Sequence, residues 1–141
     1  MSEKIKWSPA IWLVALLFNL LLAITIWGVL DTAPTLALTS LSLLGTFILA
    51  IRSSYQISVD ENVLRVGRAW IDRRFINGVI ALDRDQMRRA RGYELDPAAH
   101  LELRSWLREG VKITLNDPQD PTPYWLISTA KSKELVAALQ K

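Results

Sequence analysis

Acidic residues and a single histidine are the side chains of this 141-residue sequence that stand out for acid–base chemistry or metal binding. The acids form two close pairs, Asp83 with Asp85 and Asp117 with Asp120, and the histidine is His100. A carboxylate pair can divide the roles of general acid and base, whereas a transition-metal site needs several nitrogen, sulfur or carboxylate ligands. The chain has no cysteine and no glycine-rich phosphate-binding motif. The acids also fit structural roles as a helix cap and as turn residues before prolines. The sequence therefore predicts no catalytic residue, no metal site and no cofactor.

A group of arginines is the stronger indication of function. Residues 52–91 contain nine arginines and five acids, and the motif RDQMRRARG lies at their end. On a helix, Arg84, Arg88 and Arg91 fall on one face with Arg89 beside it. A basic face of this kind is suited to anionic lipid headgroups or to an acidic protein partner. The alternative is a solvated face that is partly paired with Asp85. Nucleic acid is not expected as a partner, because the excess of charge is small and no base-stacking surface accompanies it.

The stretch DPQDPTPYWLIST, residues 117–129, places an aromatic pair directly after three proline-containing steps. Tyr124 and Trp125 are a candidate aromatic contact for a peptide or a lipid. The alternative is a rigid turn that leads into a core strand, because Asp and Pro both favour turns and Pro123 excludes a central strand at its own position.

Two long uncharged runs near the start of the sequence predict that the protein is anchored in a membrane. Twenty-four residues separate Lys6 from Asp31, and 20 separate Asp31 from Arg52. About 20 apolar residues cross a bilayer as a helix, so we predict transmembrane helices at 9–30 and 35–51. Basic residues flank the runs on the outside, whereas the connecting loop carries only an acid. This distribution predicts a hairpin in the bacterial cytoplasmic membrane with both termini in the cytoplasm.

Asn19 lies near the middle of the first predicted span. A buried amide in lipid needs a hydrogen-bond partner, and a regular hairpin brings Ser42 and Thr39 of the second span to a similar depth. We therefore expect an intramembrane polar contact between Asn19 and Ser42. The alternative is a site for a transported ligand or a partner helix. Ser42, Gly45 and Thr46 form a small-residue face on which a helix of the same chain, or of a second copy, can pack.

The remaining residues, 52–141, show strand patterns followed by helix signals. Short alternating runs predict an antiparallel meander, and Asp83 with Gln86 has the spacing of a helix capping box. Asp96-Pro97 predicts the start of a further helix. The predicted strands are 55–59, 63–66, 74–76, 79–82, 111–115 and 124–128. The chain closes with an amphipathic helix near 131–140, for which Ser128 or Thr129 is the expected cap.

Four stretches carry a resemblance to known families. YQISVDENVLRVG (55–67) and RRFINGVIALDRDQM (73–87) resemble the bacterial pleckstrin-homology-like membrane proteins. GYELDPAAH (92–100) and NDPQDPTPYWLIST (116–129) are similar to a family of short two-span membrane proteins of unknown function from actinobacteria, over nearly the whole chain. The first resemblance implies a strand-rich, pleckstrin-homology-like open barrel with a C-terminal helix. The second implies the two-span architecture and carries no activity.

Together these features predict a cytosolic N-terminus (1–8), a transmembrane helical hairpin (9–51) and a cytosolic α+β domain (52–141). The predicted function is a non-catalytic, membrane-anchored interaction or scaffold module, and homo-oligomerisation is compatible with it. The alternative is an accessory subunit of a transporter or cell-envelope complex that assembles through its helices.

Overall fold

The computed structural model describes residues 1–140, which form two compact units. One unit is Lys6–Tyr55, and the other joins Met1–Ile5 to the chain from Gln56 onward. The elements in chain order are β1 (Ser2–Ile5), α1 (Pro9–Trp27), α2 (Thr32–Arg52), β2 (Tyr55–Val59), β3 (Val63–Val66), β4 (Ala69–Asp72), β5 (Ile76–Leu82), α3 (Arg84–Ala90), β6 (His100–Glu102), β7 (Gly110–Leu115), β8 (Tyr124–Ser128) and α4 (Ser132–Leu139).

The helical unit is the expected pair of apolar helices, with shifted ends. α1 starts after Ser8, whose hydroxyl accepts a hydrogen bond from the backbone N–H of Ile11. α2 begins at Thr32, three residues before the predicted start, and includes Pro34 in its first turn. Proline is tolerated there because the first N–H groups of a helix have no partner within the helix. At the open end of the hairpin, the indole N–H of Trp7 donates to the Ser53 hydroxyl at 2.6 Å.

Both helices are long and apolar enough to cross a membrane, and their side chains are largely unburied. Only 6% of the most apolar window of α1 and 11% of that of α2 is buried. A core helix of a soluble protein would be mostly buried, so packing within the protein does not account for these apolar surfaces.

The first sheet has the strand order β1-β2-β3-β4, with antiparallel β2–β3 and β3–β4 pairs. β1 and β4 were not among the predicted strands. The Met1 amino group donates to the Val59 carbonyl, and the Val59 N–H donates to the Met1 carbonyl. β3 and β4 are joined through Gly67, whose φ of 61° lies in the region that favours glycine. Arg74 and Phe75, which were predicted to be in a strand, lie in a 3₁₀ turn between β4 and β5.

The second sheet has the strand order β5-β7-β8-β6 and departs from a simple meander. β5–β7 and β7–β8 are antiparallel, whereas β6 pairs with β8 in parallel. The helix expected at Asp96-Pro97 does not form. Asp96 instead accepts a hydrogen bond from the Ala98 N–H in a turn, and the chain enters β6 at His100. Pairing with β8 thus overrides the local helix-start signal, which is worth only about 1 kcal/mol.

Two helices pack against the second sheet. Met87 and Ala90 of α3 form a buried cluster with Leu82, Tyr124 and Leu126. α4 contacts β5 and β7 and buries Leu135 and Leu139, one helical turn apart. Its N-cap is Lys131 rather than Ser128 or Thr129. Over residues 1–140 the strands form two open four-stranded sheets and no closed barrel.

Two polar clasps hold distant segments of the strand-rich unit together. The Glu3 carboxylate of β1 is buried and accepts hydrogen bonds from the Thr129 hydroxyl and from the Ala130 N–H. The Arg73 guanidinium donates to the carbonyls of Ala138 and Leu139 at the end of α4, at 3.2 and 3.0 Å. Its other terminal nitrogen donates to the carbonyls of residues 60 and 61, in the β2–β3 turn. Arg73 therefore caps α4 and ties it to the first sheet.

We expect Arg73→Ala to lower the free energy of unfolding of the full-length protein in detergent by about 1–3 kcal/mol, because four carbonyls lose a charged donor. Arg73→Lys should recover only part of this loss, since one ammonium cannot reproduce the guanidinium fork. The measurement is thermal unfolding followed by tryptophan fluorescence. Arg74→Ala is the matched control, because the Arg74 side chain is 73% exposed, and its contacts with Asp72 and with the Phe75 ring are local ones at the surface. Equal destabilisation by Arg73→Ala and Arg74→Ala would contradict the clasp.

Candidate functional site

The arginine-bearing helix α3 forms as its sequence predicts. The Asp83 carboxylate accepts from the Gln86 N–H at 2.8 Å, and the Gln86 side-chain oxygen accepts from the Asp83 N–H at 3.0 Å. This reciprocal pair is a complete capping box. The first acid pair is thereby accounted for, since Asp83 starts the helix and Asp85 lies in its first turn.

Packing of α3 on the second sheet orients the arginines. Met87 is fully buried and lies over Gly110 of β7. A Cβ atom added at Gly110 would lie 2.7 Å from Met87 Cε and would overlap the Ile127 carbonyl oxygen. The missing side chain of Gly110 thus makes room for Met87. Arg84 and Arg91 lie three and four residues from Met87, so they flank the buried face of the helix. Their side chains and that of Arg88 are exposed.

Arg84, Arg88 and Arg91 line one surface cavity of about 400 Å³, as their spacing predicts. Arg108 and Ser105 line the same cavity, and both come from the segment that connects β6 to β7. Neither residue is among the predicted site residues, and both lie 14 or more positions beyond Arg91. Pairing of β6 with β8 positions the segment that connects β6 to β7. No local sequence motif predicts that pairing.

The cavity arginines are free of acidic partners. Within residues 1–140, Arg84, Arg88, Arg91 and Arg108 form no ion pair and no side-chain hydrogen bond. Asp85 also lines the cavity but forms no ion pair with them in this part of the chain. The predicted pairing of the basic face with Asp85 is therefore not observed. Four positive charges and one negative charge at one cavity make it electropositive.

Arg89 differs from the other arginines of α3. Its guanidinium pairs with Glu94 at 3.7 Å. It lines a neighbouring cavity of about 690 Å³ together with Gly92 and the exposed Tyr93, and Arg88 and Arg91 lie on the boundary of both cavities. Of the four predicted site arginines, three therefore share the cavity with Arg108, whereas Arg89 is already paired.

The aromatic pair lies in the core rather than on an exposed ledge. Tyr124 and Trp125 are only 7% and 5% exposed. The Tyr124 hydroxyl accepts from the Asp96 N–H at 2.9 Å, and Lys112 Nζ lies 4.1 Å from the Tyr124 ring centre. The Trp125 ring packs 4.7 Å from the His100 ring. Both rings are therefore largely enclosed, as the alternative of a turn that leads into a core strand predicts. Trp125 also lines a surface cavity of about 340 Å³, and a contact of the aromatic pair with a peptide or lipid stays a prediction.

The second acid pair builds that turn. Asp117 accepts from the Gln119 N–H and Asp120 accepts from the Thr122 N–H, each at 2.9 Å. The hydrogen bonds from Thr122, with a smaller contribution from the charge of His100, lower the pKa of Asp120. No group of three potential metal-ligating side chains occurs within the described residues 1–140.

Asn19 is 3% exposed and forms a different contact from the expected one. Its side-chain amide donates to the Thr46 hydroxyl at 3.1 Å and to the Ala15 carbonyl at 2.8 Å. Thr46 in turn donates to the Ser42 carbonyl. The partner is thus Thr46, one helical turn beyond Ser42, because the two helices pack with a different register from that of a symmetric hairpin. Ser42 takes part through its backbone only.

The described residues thus form a unit of two apolar helices and a strand-rich unit, and the latter carries the arginine-lined cavity. The chain belongs to the family described as "Protein of unknown function (DUF3093)", whose model matches residues 1–139. This match confirms the expected membership of a family of unknown function. Comparison with curated proteins and with solved structures gives no match.

We expect Asn19→Leu to weaken the helix pair by about 0.6–2 kcal/mol, because the Thr46 hydroxyl loses its cross-helix donor. In a double-mutant cycle, Asn19→Leu and Thr46→Val should be coupled, whereas Asn19→Leu and Ser42→Ala should be additive. The measurement is unfolding of the full-length protein in mixed micelles. Coupling to Ser42 rather than to Thr46 would contradict the observed register.

We expect Gly110→Ala to destabilise the strand-rich unit by about 1–3 kcal/mol, because the added methyl group overlaps Met87 and the β8 backbone. Met87→Ala alone should destabilise by about 2–5 kcal/mol, because it leaves a cavity. In the Met87→Ala background, Gly110→Ala should cost less than in the wild-type chain, since the smaller side chain vacates part of the space over residue 110. Gly78→Ala is the control, because the nearest atom to its added Cβ is 3.9 Å away. The midpoint of thermal unfolding reports each effect, and a null effect of Gly110→Ala would contradict the close packing of α3.

Proposed function

We propose that this protein is a membrane-anchored, non-catalytic binding module that engages an acidic membrane-associated partner through the arginine cavity (Arg84, Arg88, Arg91 and Arg108). The observation that carries this proposal is that four arginines line one cavity and form no ion pair among residues 1–140. Unpaired arginines are suited to binding an external anion, because guanidinium forms strong bidentate hydrogen bonds to oxyanions.

The membrane anchor in the proposal is the α1–α2 hairpin. α1 has 19 residues and α2 has 21, and a helix of 20 residues is about 30 Å long, the thickness of a bilayer core. Leucine, isoleucine, valine and phenylalanine side chains project unburied along both helices. In water this surface would favour aggregation, whereas lipid solvates it.

The proposed topology places both termini in the cytoplasm of a bacterium. Lys4 and Lys6 precede α1 and Arg52 ends α2, while Asp31 is the charged residue of the connection. Positive residues near the ends of spans remain on the cytoplasmic side. A pleckstrin-homology-like character of the strand-rich unit is also part of the proposal. The closing helix α4 supports it, whereas the two open sheets and the parallel β6–β8 pair depart from a simple version of such a fold.

A second candidate function is that of an accessory subunit that assembles through its helices. Gly45 favours it, because no atom lies within 4 Å of a Cβ placed at that residue. A partner helix could therefore approach α2 closely there. Asn19 does not contribute to this surface, since it is buried between α1 and α2.

The test is crosslinking of a tagged full-length chain in intact cells, followed by identification of the proteins that co-purify in mild detergent. We expect the variant Arg84→Ala/Arg88→Ala/Arg91→Ala to reduce recovery of a specific partner at least about tenfold, since each lost charge contributes roughly 1 kcal/mol. The matched control is Arg65→Ala/Arg68→Ala/Arg74→Ala, which removes the same charge from exposed arginines outside the cavity.

Loss of the partner in both triple variants would indicate a general charge effect and contradict the arginine cavity as the binding surface. If both triple variants retain the partner and a Gly45→Leu variant loses it, the accessory-subunit function is favoured. Recovery of no partner from the wild-type chain would overturn the proposal.

A further inference from the structure

We propose that the arginine cavity binds a phosphate monoester. The inference rests on the proposed function, because it names the ligand chemistry of the same site. The cavity is small, about 400 Å³, and its lining residues come from both α3 and the β6–β7 connection. An anionic group that enters the cavity, free or carried by a partner, lies beside arginines of both segments.

The number of converging arginines favours phosphate over carboxylate. A carboxylate has two oxygens and one charge and is satisfied by one or two guanidiniums. A phosphate monoester carries about 1.5–2 negative charges near pH 7 and three strong acceptor oxygens. Arg84, Arg88, Arg91 and Arg108 supply more donors than one carboxylate can accept, and their number fits the oxygens of a phosphate.

Two further groups line the same cavity. Ser105 is exposed there and its hydroxyl is able to donate to a phosphate oxygen. Asp85 introduces one negative charge, which lowers the affinity for any anion. Attraction to the four arginines and repulsion by Asp85 both scale with the charge of the ligand, so the net attraction is larger for a doubly charged phosphate than for a singly charged carboxylate.

Exposure of the arginines sets the expected salt dependence. All four are solvent-exposed, so screening by salt weakens their attraction to an anion. We therefore expect binding that is modest and falls as ionic strength rises. Arg89, which pairs with Glu94 outside this cavity, provides an internal comparison on the same helix.

The experiment uses the full-length protein in nanodiscs of zwitterionic phosphatidylcholine. An arginine-selective dicarbonyl reagent modifies accessible guanidiniums, and mass spectrometry measures the rate at each arginine. Glycerol 3-phosphate is the soluble probe, and succinate at the same ionic strength is the carboxylate control. A second arm replaces part of the phosphatidylcholine with phosphatidic acid, whose headgroup is a phosphate monoester.

We expect glycerol 3-phosphate or phosphatidic acid to slow modification of Arg84, Arg88, Arg91 and Arg108 at least about fivefold, with little change at Arg65 and Arg68. Protection in the phosphatidic acid arm identifies a lipid headgroup as the source. Protection by glycerol 3-phosphate alone identifies a soluble phosphate ester. Both results support the phosphate site.

Arg108→Ala is the decisive variant, because Arg108 lies on a different segment from the helical arginines. It should weaken protection of Arg88 about fivefold, whereas Arg89→Ala should leave that protection unchanged. Circular dichroism and the unfolding midpoint establish that each variant is folded. An equal effect of the two variants would overturn the cavity as the site.

Equal protection by succinate, equal protection of Arg65 and Arg68, or no protection in either arm would overturn the inference. If a protein partner still depends on Arg84, Arg88 and Arg91 while phosphate gives no protection, the proposed function stands and the phosphate assignment fails. If partner binding and phosphate protection are both absent, both proposals fail.

Discussion

Burial of Met87 and Ala90 against the second sheet is the interaction on which the arginine cavity depends. Met87 is fully enclosed and sits where Gly110 leaves space above the β7 backbone. Arg84 and Arg91, three and four residues from Met87, then flank the buried face of the helix, at the cavity that Ser105 and Arg108 also line. A short helix of seven residues has little stability of its own in water, so this packing and the capping box together hold α3 in place.

The parallel β6–β8 pair supplies the other half of the cavity. Its three residue pairs place the end of β6, and hence the connecting segment with Ser105 and Arg108, at the same cavity as α3. Tyr124 strengthens this arrangement, since it packs with Met87 through its ring and accepts the Asp96 N–H through its hydroxyl. The buried Tyr124 side chain thus links the packing of α3 to the segment that leads into β6.

The strand-rich unit is built from chain segments that come before and after the helical hairpin in the sequence. β1 precedes α1, whereas β2 and the later elements follow α2. Glu3 contacts Thr129 and Ala130 across more than 120 residues of sequence, and the Met1 amino group contacts Val59. A fragment that starts at residue 52 therefore lacks an edge strand and a buried carboxylate clasp. The hairpin is an insertion within the unit rather than a preceding segment, and the unit is complete only after both helices have been synthesised.

The features that could be predicted from the sequence are those that depend on interactions between residues close together in the chain. The two apolar helices follow from charge-free runs, α3 from its capping box, and the shared face of Arg84, Arg88 and Arg91 from the helical period. Most strands after Arg52 follow from their alternation. Only the tertiary structure decided the pairing of β1 with β2, the replacement of a predicted helix at Asp96 by β6, the Asn19–Thr46 register and the addition of Arg108 to the cavity. Each of these features depends on contacts between residues far apart in the chain. Such contacts follow no periodic sequence pattern, and together they outweigh a local signal of about 1 kcal/mol.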